Sequence, residues 1–127
     1  MERSITAEIF PEPIRQLPEA ATPLRGVRAY LSQADTHQVL FMQFSRDDEM
    51  PEHAHAAQMG ILLEGRIDLV IDGVRRTYVK GDRYFIPGGV RHSGKVYAGL
   101  AQVAFFNEPD RYRPAGRDPA MKKFKEA

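Results

Sequence analysis

The chain has 127 residues, with 18 Lys plus Arg against 17 Asp plus Glu and a net charge of +1. That suits one domain with a single hydrophobic core and gives no global field for nucleic acid or an anionic membrane surface. There is no cysteine, so disulfides, thiolate metal sites and thiol nucleophiles are excluded, and any metal must be held by nitrogen and oxygen. The charged start has no apolar stretch of signal-peptide length, and no run nears the ~20 residues that span a bilayer, so a cytoplasmic protein is expected.

In chain order, Pro11, Pro13, Pro18 and Pro23 forbid a long helix or a central strand, and residues 1–24 read as an extended arm on the surface. Short strands then follow one another. Val27–Leu31 and Gln38–Phe44 flank the polar stretch Ser32–Thr36. Met59–Glu64 and Arg66–Ile71 are separated by a kink at Gly65. Asp72-Gly73 is a tight hairpin signal, because both central positions of a primed turn favour positive φ. Arg75–Val79 returns, Lys80-Gly81-Asp82 turns, and Tyr84–Ile86 is stopped by Pro87-Gly88-Gly89. Val90–Tyr97 and Leu100–Phe106 complete the series. Turns this frequent, with no helical periodicity, predict an all-β antiparallel barrel or sandwich over residues 25–107. Residues 108–127 read as a polar tail with one helical turn near Met121–Lys125; its basic run is too short for a nucleic-acid site.

The chain holds four histidines, and three fall in two short segments. The first is His53-Ala54-His55-Ala56-Ala57-Gln58 and the second ends Pro87-Gly88-Gly89-Val90-Arg91-His92. Imidazole is the commonest side-chain ligand for late first-row metals, and three around one point are rarely accidental. Two apart on a strand, His53 and His55 face the same side, and Ala54 and Ala56 leave room for both rings. Gln58 sits at an odd spacing, so as a ligand it requires a bulge or turn at Ala56-Ala57. Gly60 would then clear space beside the metal, with Met59, Ile61 and Leu63 on the opposite face. His37 fits neither segment and reads as a surface histidine, and Glu64 as part of a turn.

These segments resemble the two motifs of the cupin superfamily, small β-barrels of jelly-roll topology that hold a metal in their mouth. The first motif appears as HAHAAQMGILLEG and the second as GDRYFIPGGVRH. The resemblance covers roughly Arg25 to Phe106 and implies one divalent transition metal (Mn, Fe, Ni, Co, Cu or Zn) on His53, His55, Gln58 and His92. Three positions depart from the pattern. Gln58 stands where the family usually has glutamate, the gap from His55 to Gln58 is short, and Val96 replaces an asparagine. Three imidazoles and a neutral amide leave the full charge on the ion, which favours an anionic ligand.

The resemblance implies a small molecule bound in the barrel mouth, and pairing into a homodimer, with the proline-rich arm packed on or exchanged with the partner. Tyr84, Gln102 and Arg111 are candidate substrate contacts. Arg111, within Asp110-Arg111-Tyr112-Arg113, either sits in a solvated cluster or reaches the mouth to clamp a carboxylate. Two functional classes stay open. One is a small metal-dependent enzyme on a carboxylated or enolisable molecule, including dioxygenase-like chemistry. The other is a non-catalytic binding or sensing module. Cupins that open unsaturated uronate rings also use three His and one Gln, but their acidic residue falls here on Val103 or Ala104, neither of which can move a proton. Apolar residues on the last strand, where Gln102 and Asn107 are the nearest polar groups, favour the binding module. Tyr84, Arg91, Lys95 and Tyr97 near the second motif favour the enzyme.

Overall fold

A computed structural model describes residues 8–115. Nine strands form two antiparallel sheets: β1 (Val27–Gln33), β2 (Gln38–Phe44), β3 (Asp48–His53), β4 (Gln58–Glu64), β5 (Arg66–Ile71), β6 (Val74–Val79), β7 (Arg83–Ile86), β8 (His92–Val96) and β9 (Ala101–Phe106). The five-stranded sheet runs β1-β2-β9-β4-β7 and the four-stranded sheet β3-β8-β5-β6. The expected jelly roll is present, as two facing sheets that do not close into a continuous hydrogen-bonded barrel.

Alternation decides what fills the space between the sheets. On β4, Gly60 and Leu62 point inward while Met59 and Ile61 are exposed outside. On β5, Ile67 and Leu69 share one buried cluster with Val96 of β8 and Leu40, Met42 and Phe44 of β2. Asp72 and Gly73 both take positive φ, 50° and 80°, making the hairpin turn that joins β5 to β6. Gly65 is needed twice over: its φ is +81°, and a Cβ there would lie 2.6 Å from the Leu100 backbone.

β3 has no counterpart among the expected strands. Its sequence, DEMPEH, is polar, largely exposed and interrupted by Pro51. Those properties belong to an edge strand, and β3 occupies the edge of the four-stranded sheet. Its pairing with β8 shifts register between Met50 and His53.

The proline-rich arm differs from a plain extended segment. Glu12–Arg15 forms a short helix, α1, with a proline in its first turn. Phe10 is buried, its ring edge-on to Phe41 and Tyr30 at 5.8 and 6.2 Å. The Leu31 N–H donates to Pro18 O and the Ala20 N–H to Ala29 O, so the arm seals the open edge of β1 in its own chain. The tail joins it: Ala21 N–H donates to Arg113 O and Ala115 N–H to Glu19 O. The helical turn expected near Met121–Lys125 lies outside the described residues. No helix among the described residues is long and apolar enough to cross a membrane.

Candidate metal centre

β3 ends at His53, the chain bends at Ala56, and β4 begins at Gln58. His55 therefore sits in the connection and not on a strand shared with His53, a correction to the expected two-residue strand spacing. The break falls at Ala56-Ala57, where a facing Gln58 requires it. Two backbone–backbone hydrogen bonds help hold this connection, from Gly89 N–H to His55 O at 2.9 Å and from Asn107 N–H to Ala57 O at 2.9 Å. His92 opens β8 directly across from His53.

The three imidazoles converge. Ring centroids lie 4.2 Å apart for His53 and His92, 4.8 Å for His55 and His92, and 5.1 Å for His53 and His55. One nitrogen from each falls within 4.8 Å of the others. Each Nδ1 faces a backbone carbonyl: Pro51 O at 2.8 Å for His53, Ala56 O at 2.7 Å for His55 and Val90 O at 3.0 Å for His92. A carbonyl only accepts, so each Nδ1 carries the proton and each Nε2 keeps its lone pair for an ion. Burial pushes the His55 pKa down to about 4, opposed by the bond to Ala56 and aided by the Arg111 charge and the two neighbouring rings. Burial likewise lowers that of His92. Near neutral pH these two rings are neutral, as metal ligation requires. The donor set fits a divalent transition ion at bond lengths of ~2 Å.

All four expected ligands line one cavity of about 300 Å³, together with Tyr84, Gln102 and Arg111. Gln58 Nε2 donates to the Tyr84 hydroxyl at 3.0 Å, which leaves the Gln58 amide oxygen as the atom it can offer an ion. The Tyr84 hydroxyl donates in turn to Gln102 Oε1 at 2.9 Å. Burial raises the Tyr84 pKa, so the phenol stays protonated. A Cβ on Gly60 would lie 2.3 to 2.4 Å from the Tyr84 ring and hydroxyl. Gly60 thus makes room for the tyrosine across the strand pair, and not for the metal as its sequence position suggests.

Arg111 enters the same cavity from the C-terminal segment, its guanidinium 5.0 Å from the Tyr112 ring centroid. Its Nε is buried with no hydrogen-bond partner among the described residues. The other polar groups of the second motif lie elsewhere. Arg91 is exposed and donates to Glu52, while Lys95 and Tyr97 stack on the outer face of the four-stranded sheet. His37 lies against the Phe105 ring, with centroids 5.1 Å apart.

Two site-building residues have no signal in the sequence. Glu108 accepts from Ala56 N–H at 3.2 Å and lies 3.8 Å from His55 Nδ1, beside the ligand-bearing bend. Gln38, fully buried, bonds the Tyr112 backbone through both ends of its amide, at 2.7 Å to the carbonyl and 3.0 Å from the N–H. Neither belongs to a motif, because each acts through contacts made 50 or more residues along the chain.

Residues 40–99 match the cupin domain family. That stretch is a cupin domain. Over 67 residues, 51% of its length, it is 34% identical to quercetin 2,3-dioxygenase of Bacillus subtilis, and spans 20% of that protein. Among solved structures it resembles an RmlC-like cupin from Shewanella frigidimarina, with a TM-score of 0.64 at 24% identity, covering 76% of this chain and 87% of that one. KdgF from Halomonas gives 0.60 at 18% identity, covering 72% and 87%. Oxalate decarboxylase of Bacillus subtilis gives 0.62 at 16% identity, covering 76% and 28%. At these identities the structural likenesses establish the cupin fold and nothing finer.

Proposed function

We propose that this cupin holds one divalent transition ion on the Nε2 atoms of His53, His55 and His92 and the amide oxygen of Gln58, and uses it to bind a small carboxylated or enolised molecule. The observation that carries this reading is Arg111, whose buried Nε has no partner among the described residues and which shares with the three imidazoles a cavity lined by no carboxylate. The ion brings its full charge because all four donors are neutral, and Arg111 adds another beside it with an unsatisfied buried Nε. An anionic oxygen on the ligand answers both. The ion supplies Lewis-acid polarisation of that oxygen, while Arg111 orients the anion and Tyr84, through Gln58, fixes where the amide oxygen points.

A second reading, turnover of the bound molecule, draws support from the partial likeness to a dioxygenase and from Glu108 beside the ligand loop. Under that reading Glu108, 3.8 Å from His55 Nδ1, is the carboxylate that would move a proton. Homodimerisation belongs to the same proposal. Met59, Ile61 and Phe85 form an exposed apolar patch on the outside of the five-stranded sheet, with Met59 paired to Phe85 across β4 and β7. A second copy presenting the same patch covers it isologously.

Calorimetry separates the parts of the site. Metal-free protein is titrated with Ni(II) and then with acetate. Acetate is expected to bind only after the metal, and Arg111→Ala to weaken acetate by about tenfold without weakening the metal. Gln58→Glu should tighten metal and weaken acetate through its added negative charge. Equal acetate binding with and without metal refutes the reading.

A further inference from the structure

The cavity is deeper than the ion needs, and its polarity changes sharply along its length. On β8 the lining passes from His92 to Val96, four residues or about 13 Å along the strand. Register fixes what lies at the deep end. Val96 pairs with Ile67, and Gln102 pairs with Met42 and Leu62. Below the histidines the walls are Met42, Phe44, Met50, Ile67, Leu69 and Val96. The polar groups there are already spent on one another. The Tyr84 hydroxyl accepts from Gln58 and donates to Gln102, and the Gln102 Nε2 donates at 3.7 Å to the Met42 sulfur, a weak acceptor. Besides that soft amide donor, the lining hydroxyls are those of Tyr112 and of Thr22, which accepts from the Leu24 N–H, so the cavity offers an incoming oxygen few donors.

Resting on the anion-binding function above, we propose that the ligand is a monocarboxylate with an apolar body, a ring or branched chain, whose hydrocarbon part fills the depth beneath the metal. Its carboxylate sits between the ion and Arg111. A single acceptor oxygen at the far end is accommodated by Gln102 Nε2, which exchanges sulfur for oxygen. A sugar acid is disfavoured because each of its hydroxyls loses water against Ile67, Leu69 or Val96 with no partner. A compact dianion such as oxalate engages the metal end alone and leaves the apolar walls facing water.

The test is a panel of acids titrated into Ni(II)-loaded protein: acetate, phenylacetate, oxalate and galacturonate. Phenylacetate should bind about tenfold or more tighter than acetate, because the ring leaves water for an apolar wall, and tighter than oxalate or galacturonate. Val96→Thr, nearly isosteric, puts a hydroxyl in that wall; it should lower the phenylacetate-to-acetate ratio several-fold with acetate binding and metal content unchanged. Oxalate or galacturonate binding as tightly as phenylacetate overturns the inference. So does a phenylacetate affinity no better than that of acetate, or a ratio indifferent to Val96→Thr; in each of these the anion-binding function survives. Failure of every acid to bind the loaded protein removes that function and this inference with it.

Discussion

The Nδ1 atoms of His53, His55 and His92 each spend their proton on a carbonyl within two residues in the chain. The tautomer is therefore fixed by local backbone before any ion arrives, and the entropy of orienting three rings is lost during folding and not at binding. A different residue-scale device operates on the far face of the four-stranded sheet. Asp68 is buried and accepts from the Tyr97 hydroxyl at 2.6 Å and the Thr77 hydroxyl at 2.7 Å, with Arg75 and Arg66 at 3.4 and 3.6 Å. The Tyr97 bond, then the Thr77 bond and Arg66, pull its pKa from 3.8 down to about 2. A depressed carboxylate pKa stabilises the fold at pH above its unfolded value, and that contribution is lost as pH falls through the folded value. Asp68→Asn should cost about 1–3 kcal/mol in urea unfolding near neutral pH. The gap from wild type should hold from pH 5 to 8 and shrink below about pH 4. A gap that stays constant down to pH 2 assigns the loss to packing alone.

At the scale of elements, the strands that pack on both sheets are legible because apolar residues alternate and turns carry Gly or Asp-Gly; β2, β4, β5 and β9 are the clear cases. β3 is invisible for the opposite reason: as an edge strand bearing Pro51 it needs little apolar surface and no complete ladder. The ligand set is legible from two motifs, but the path between its members is not. His55 leaves the strand because Ala56 bends, and beside the local bond from the His55 ring to Ala56 O that bend is held by distant partners, Gly89, Asn107 and Glu108. The segment carrying Arg111 is likewise fixed by Gln38, whose amide is consumed by the Tyr112 backbone and the Gln33 side chain. Gln38→Ala leaves those backbone groups unpaired in a buried site and should cost about 1–3 kcal/mol. It should also weaken acetate binding while metal content stays at the wild-type level. Unchanged acetate affinity means that Arg111 is placed by other contacts.

For the whole molecule, the two sheets divide the labour. The four-stranded sheet contributes His53 and His92, the five-stranded sheet contributes Gln58, Tyr84 and Gln102, and the paired terminal segments add Thr22, Pro23, Leu24 and Arg111 at the cavity. Because arm and tail bond each other and the edge of β1 in the same chain, the arm needs no exchange with a partner to be ordered. The proposed dimerisation then falls to the outer face of the five-stranded sheet, where Phe85 is 60% exposed. Phe85→Lys should convert a dimer to a monomer in light scattering at micromolar protein without altering metal content. A wild-type chain that is monomeric under those conditions rules out pairing through this face.

The central claim is a three-histidine metal centre, and elemental analysis of purified, dialysed protein tests it most directly. Wild-type protein should carry about one transition-metal ion per chain. His53→Ala, His55→Ala and His92→Ala should each lose most of it, because each removes a preset Nε2, whereas Gln58→Ala should lose less because water replaces a neutral amide oxygen. Retention of a full metal complement by any of the three histidine variants contradicts the account.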